Sequence, residues 1–480
     1  MRMPIVKMSR LFATLVVVGT TLGAVNLPVS AQELPASMVN ALRQAKIPVR
    51  SVGVFVQQVD TAQPVLAASA ATAFSPASVM KLVTTDAALE LLGPTYSWKT
   101  QAFIDGALQN GVLSGDLSIK GSGDPKLVME NFWMFLRQIR AKGVRDIRGN
   151  LVLDRSIFAE QEVDPAQFDD DPQKPYNVGP DALLLNYKTI ALHFLPDESG
   201  KQVVVSVEPP LAGYVVNPPK LSADVACGDW RTRLKADVGD VSTSFAGSYP
   251  AACGEQVWYI NPYRMSANQY FGAVFRQMWA ELGGTFSGQV VAATVAPAAH
   301  LLAEWQSPTV PEVIRDINKY SNNVMARQLL LTMAAQAAEG PGNVARGAQT
   351  ISAWLSSKGI ASNAVIIDNG AGLSRTERIT PAILGQLLLT AYHSAVMPEF
   401  IASLPLVGYD GTMRKRLRSD AVAGQAHIKT GSLNEVRSVA GYVQAASGKM
   451  YVVVCLINHP NAAAGQPAQD ALLQWVFQNG

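Results

Sequence analysis

Ser78 and Lys81 stand three residues apart in Phe74-Ser75-Pro76-Ala77-Ser78-Val79-Met80-Lys81. No Gly or Pro interrupts Val79 to Leu92, so the run predicts a helix that opens at Ser78. Positions three apart on a helix share a face, which puts the hydroxyl and the amine side by side. A serine hydroxyl is a poor nucleophile unless a neighbour takes its proton, and an amine does so only when held neutral. Burial and a second nearby cation both depress a lysine pKa. Taken alone, the spacing is weak and more often marks no more than the start of a surface helix. Two more strings carry hydroxyl, amide and amine groups: Tyr320-Ser321-Asn322-Asn323, and His427-Ile428-Lys429-Thr430-Gly431-Ser432. The five histidines (His193, His300, His393, His427, His459) lack H-x-x-x-H or H-E-x-x-H spacing, and the cysteines lack C-x-x-C spacing. Neither a metal nor a cofactor is expected.

S-x-x-K, S-x-N and K-T-G in this order resemble the three active-site motifs of the penicillin-recognising serine enzymes. Within that group the chain resembles the D-alanyl-D-alanine carboxypeptidases/endopeptidases of the class C, low-molecular-mass penicillin-binding type. Gly121-Ser122-Gly123-Asp124-Pro125, Asp368 through Arg375, Gly408-Tyr409-Asp410-Gly411-Thr412 and Leu433 through Val443 add to the likeness, which spans nearly all of the chain after its first segment. The long interval between Ser78 and Ser321 also matches, because the family carries two extra domains between the first and second motifs. One departure is Asp368-Asn369-Gly370-Ala371-Gly372, where the family more often has Asp-Gly-Ser-Gly.

The resemblance implies Ser78 as acylated nucleophile, Lys81 as its general base, and Ser321 as proton relay toward the leaving amine. Asn323 would hydrogen-bond the substrate backbone. Lys429 would push Lys81 toward neutrality and attract the substrate's terminal carboxylate, with Thr430 offering it a hydroxyl. Gly431 would let the strand edge approach the substrate, and the backbone N–H groups of Ser78 and Ser432 would form the oxyanion hole. In relatives that use diaminopimelate peptides, the positions of Asp171, Tyr176, Arg375 and Asn434 contact the peptide. For the acidic run at 169–171 a solvated loop is the competing reading, and for Arg375 a structural ion pair. The partners implied are peptidoglycan stem peptides, with β-lactams as inhibitors. A β-lactamase or esterase on the same scaffold, or a binder that has kept the pocket, are the alternative readings.

The elements that position these groups are expected as follows. At 480 residues, about 150 per domain suggests roughly three domains. With 48% apolar and 16% charged residues the chain can bury several cores, which excludes disorder and collagen-like structure. Residues 1–31 contain Arg2, Lys7 and Arg10 and no acid, an apolar run from Leu11 to about Val25, and Val29-Ser30-Ala31. They read as a signal peptide cut before Gln32, which sends the protein to the periplasm with no membrane span remaining. The 39 basic and 37 acidic residues nearly balance, giving no electrostatic reason to expect nucleic acid. Oligomeric state is not legible.

Val52 to Val59 with Val65-Leu66-Ala67, and Ala440 to Gln444 with Met450 to Ile457, read as hairpins. Helices are expected at Ser37 to Lys46, Ile314 to Glu339, Gly347 to Lys358, Pro381 to Ala395 and Pro467 to Phe477. The fold class expected is α/β and multi-domain: a serine β-lactamase-like catalytic domain, an antiparallel sheet flanked by helices, from residues 32–97 and 300–480. A β-rich two-module insertion would occupy 98–299, with the smaller module nested at about 190–255. In an oxidising compartment Cys227 and Cys253, which flank one Gly- and Ser-containing segment, are expected to pair; Cys455 would be a core thiol. Three free thiols is the other possibility.

Overall fold

A computed structural model describes residues 33–160, 163–337 and 340–480. The expected signal peptide and its cut before Gln32 lie outside the described residues. No helix among them is long and apolar enough to cross a membrane.

The two chain ends meet in one antiparallel five-stranded sheet, ordered Ala426–Leu433, Val436–Gln444, Met450–Asn458, Val52–Gln58 and Leu66–Ala68. Its inner strands are apolar at nearly every position because helices cover both faces. The two-residue period of a strand sorts one run of side chains into two cores. Val452, Val454 and Leu456 join a core formed with the helices Met80–Leu91, Val310–Tyr320, Asn323–Ala337 and Pro381–Tyr392. Val453, Cys455 and Ile457 join the opposite core, under Ala36–Gln44 and Gln466–Asn479.

The helix expected over 314–339 is two helices, and the break falls at Ser321, whose φ is 59°. A left-handed residue ends the first helix and redirects the chain. At its start Glu312 Oε2 accepts from both the backbone N–H of Thr309 at 2.8 Å and the Thr309 hydroxyl at 2.9 Å.

In the middle of the chain a five-stranded sheet runs Val290–Ala292, Leu151–Asp154, Leu117–Lys120, Ser97–Ile104, His300–Thr309, beside a smaller four-stranded one. The strand His300–Thr309 pairs with Ser97–Ile104. Residues 300–309, expected with the C-terminal segment, therefore lie in the middle sheet. A further set of strands runs from Ile190 to Ile260, closing on Gln256–Ile260 paired with Ile190–Pro196, a few residues beyond the expected 255. The β-rich expectation also passed over two helices, Met129–Ala141 and Ala267–Glu281, that meet through Phe132 and Phe271 at 5.2 Å between ring centroids. Their signals are in the sequence: Phe132, Phe135, Leu136 and Ile139 at helical spacing, and a Ser266–Gln269 capping box. Cys227 and Cys253 form a disulfide, and Cys455 is a buried free thiol.

Candidate active site

The turn before the helix Met80–Leu91 holds Ala77 at φ 47°, a left-handed conformation that is unfavourable for a residue with a Cβ. The following residue, Ser78, is partly accessible while Lys81 is fully buried. Lys81 Nζ lies 3.0 Å from Ser78 Oγ and 2.6 Å from Asn323 Oδ1, and it also meets the carbonyl of Ala371. Burial, then the positive charge of Lys429, hold the Lys81 pKa well below that of a free lysine; Glu377 opposes the shift and Arg327 adds to it.

Lys429 lies on the strand Ala426–Leu433, fully buried, with Nζ donating to Ser321 Oγ at 2.9 Å and to its neighbour's carbonyl, Thr430 O, at 2.7 Å. Burial lowers its pKa to about 7. Thr430 Oγ1 donates to Thr412 Oγ1 at 2.8 Å. Gly431 runs against the Ser78 turn: a Cβ there would sit 2.8 Å from Pro76 O and 2.9 Å from Ser78 N. Only a residue without a side chain permits that approach. Ser432 follows, exposed at the strand's edge. Three segments far apart in sequence thus bring Ser78, Lys81 and Asn323 into one hydrogen-bonded set, with the Lys429–Ser321 pair close enough for the Lys429 charge to act on Lys81.

The other four expected positions surround it less tightly. Tyr176 is 40% exposed and its OH donates to Asp169 Oδ2 at 2.6 Å, while its backbone carbonyl lies 3.5 Å from Asn323 Nδ2. Asp171 is half-buried and pairs with Lys174 at 3.5 Å. Arg375 forms no ion pair among the described residues; its guanidinium lies 4.5 Å from the centre of the Phe168 ring, at a cleft of about 360 Å³ that also reaches Asn177, Arg327 and Asp368. Asn434 is exposed in the two-residue turn joining Ala426–Leu433 to Val436–Gln444.

Sequence reasoning missed the Ala371 carbonyl, Thr412, Arg327 and Glu377. Ala371 and Thr412 fall inside strings that carried the resemblance. Arg327 and Glu377 have no motif, and a lone charge reads as surface; here Glu377 is fully buried.

The profile of the D-Ala-D-Ala carboxypeptidase 3 (S13) family matches residues 34–479. The chain belongs to this family. It is a serine-type D-alanyl-D-alanine carboxypeptidase of the penicillin-binding kind. It is 25% identical over 421 residues to D-alanyl-D-alanine carboxypeptidase DacB of Haemophilus influenzae, covering 85% of each chain. It is 26% identical over 435 residues to the D-alanyl-D-alanine carboxypeptidase of Actinomadura sp. strain R39, covering 88% of this chain and 80% of that one. The crystal structure of penicillin binding protein 4 from Haemophilus influenzae superposes with a TM-score of 0.77 at 23% identity, over 92% of this chain and 99% of that one. The enzyme therefore shares that α/β multi-domain fold.

Proposed function

We propose that this carboxypeptidase works in the periplasm on peptidoglycan stem peptides through an acyl-serine on Ser78, and that it also opens D-Ala-diaminopimelate cross-links. The observation that carries the reading is the fully buried Lys81 amine, 3.0 Å from Ser78 Oγ and held toward neutrality by burial and by Lys429. Lys81 accepts the Ser78 proton as Oγ bonds to the carbonyl carbon of the penultimate D-Ala. Backbone N–H groups of Ser78 and Ser432 stabilise the oxyanion, a contribution of roughly 3–4 kcal/mol per donor in comparable acyl-transfer sites. The C–N bond then breaks, and the proton passes through Ser321 to the departing amine of the terminal D-Ala. Water hydrolyses the ester. Lys429 and Thr430 hold the terminal carboxylate, and Asn323 the peptide backbone.

β-Lactams present a strained amide in place of the D-Ala-D-Ala bond and stay attached as the acyl group. The Haemophilus influenzae relative has been solved complexed with a β-lactam. The middle segment, residues 98–299 with 300–309 added, forms the insertion in this reading. Its segment 169–176 approaches the catalytic group and would bind the peptide: Asp171 pairs with the distal ammonium of diaminopimelate, while Arg375 and Asn434 hold carboxylate or amide groups.

Intact mass after incubation with benzylpenicillin tests the acyl-serine. A gain of one penicilloyl group, absent in Ser78→Ala, is expected; a folded wild-type protein that gives neither adduct nor penicillin turnover would refute the reading. Asp171→Ala is expected to raise KM for diaminopimelate peptides and to leave penicillin acylation unchanged. Equal loss on both would remove Asp171 from the peptide site.

A further inference from the structure

Lys81 as a neutral amine has two N–H bonds and one lone pair. Two of its three neighbours, Asn323 Oδ1 and the Ala371 carbonyl, can only accept. If both hydrogens go to these acceptors, the lone pair faces the third neighbour, Ser78 Oγ, where it is needed. The Ala371 carbonyl is thus as much a part of orienting the base as the S-x-N amide, although it is a backbone atom in a loop.

That loop is tied down by one buried carboxylate. Glu377 Oε1 accepts from the backbone N–H groups of Gly370 at 2.8 Å, Asn369 at 3.0 Å and Asp368 at 3.2 Å. Glu377 is fully buried, and its Oε2 has no hydrogen-bond partner among the described residues. Burying a carboxylate is unfavourable unless its interactions repay it. On the other side of the turn Thr84 Oγ1, one helical turn from Lys81, donates to Gly370 O at 2.6 Å. Ser374 Oγ accepts the N–H of Glu377 itself at 3.1 Å and so orients it.

The geometry points to Glu377 as a positioning residue of the acylation step: it fixes the 368–371 turn so that the Ala371 carbonyl aims the Lys81 lone pair at Ser78. This rests on the acyl-serine reading above. Glu377 touches neither Lys81 nor substrate, so it acts through the turn and through its charge. The charged groups around Lys81 are Lys429, Glu377 and Arg327; those around Glu377 are Lys81, Asp368 and the half-buried Arg327. Glu377 alone among the three raises the Lys81 pKa. Burial pushes the Glu377 carboxyl itself up, and the three backbone N–H groups oppose that shift, so wherever it is ionised its neutralisation moves the acidic limb of acylation to lower pH.

The test is stopped-flow acylation by benzylpenicillin across pH for wild type, Glu377→Gln and Thr84→Val, resolving the non-covalent binding constant from the first-order acylation constant. In both variants the acylation constant is expected to fall about 10- to 100-fold, the range for a slightly misplaced catalytic group, with binding unchanged. Only Glu377→Gln is expected to shift the acidic limb downward. A purely structural loosening would weaken binding and acylation together and leave the limb in place; that result, or wild-type acylation in both variants, overturns the proposal. If Glu377→Gln fails to fold, Thr84→Val decides on the binding–acylation split alone. Failure of the acyl-serine reading is separable, since the wild type would then form no adduct.

Discussion

Lys429 is a cation kept where it is least comfortable. Its pKa is about 7 in the fold, against roughly 10.4 in an unfolded chain. Between those values the unfolded chain binds a proton that the folded one does not, so this site's contribution to stability rises with pH over that window and is least favourable below pH 7. Lys429→Met is expected to raise Tm at pH 6 by about 2–6 °C, with the gain disappearing toward pH 10. Its recognition of carboxylate-terminated peptides should weaken by about 2–5 kcal/mol. Thermal melts at the two pH values check the first part, and a lower Tm at pH 6 would contradict it. In the wild type, kcat/KM for such peptides should climb with pH as Lys81 loses its proton, then decline above about 7 as Lys429 does. A pH profile without that decline would mean that the Lys429 charge is not needed for recognition.

At the scale of elements, the site depends on how close one strand comes to one turn. The backbone of Ala426–Leu433 passes the Ala77-Ser78 turn at a distance that leaves no room for a Cβ at Gly431. The obstructing atoms are backbone, which cannot swing aside. Gly431→Ala must therefore separate strand and turn, and overpacking of this kind destabilises by about 1–3 kcal/mol. Acylation should fall about 100-fold, because the Ser78 N–H and the nucleophile move relative to the strand that holds the substrate. Near-normal acylation in Gly431→Ala would show that the strand can give way. The break between Val310–Tyr320 and Asn323–Ala337 serves the same end: the left-handed Ser321 points its hydroxyl at Lys429, and the next helix starts with Asn323 facing Lys81.

Over the whole molecule the catalytic group and the disulfide belong to different cores. Cys227 and Cys253 pack against the cluster built by the middle of the chain, whereas Ser78 and Lys81 sit at the helical face of the five-stranded sheet. A cross-link closing a loop of 26 residues stabilises by about 3–4 kcal/mol in the chain-entropy account. Replacing both cysteines by Ala should lower protection from hydrogen exchange in residues 190–260 and leave the rate of penicillin acylation unchanged. A parallel loss of acylation would reveal coupling between the cores.

The motif strings, the helix that carries Lys81 one turn after Ser78, the terminal hairpins and the Cys227–Cys253 pairing were legible because each depends on local spacing or composition; the helix itself starts at Met80, two residues after the expected Ser78. Strand alternation and helical periodicity are written residue by residue. What the sequence could not state is which distant groups meet. The same apolar texture that marks a strand is silent on its neighbour, so His300–Thr309 read as part of the segment after it although it pairs with Ser97–Ile104. A lone glutamate or arginine carries no sign of its surroundings, yet Glu377 lies inside, bonded to the loop that covers Lys81, and Arg327 stands half-buried at the adjoining cleft. The sequence by itself determined the chemical groups and their local geometry. Tertiary structure alone decided their electrostatics, since a lysine pKa depends on the solvent excluded and the charges brought near by segments hundreds of residues away.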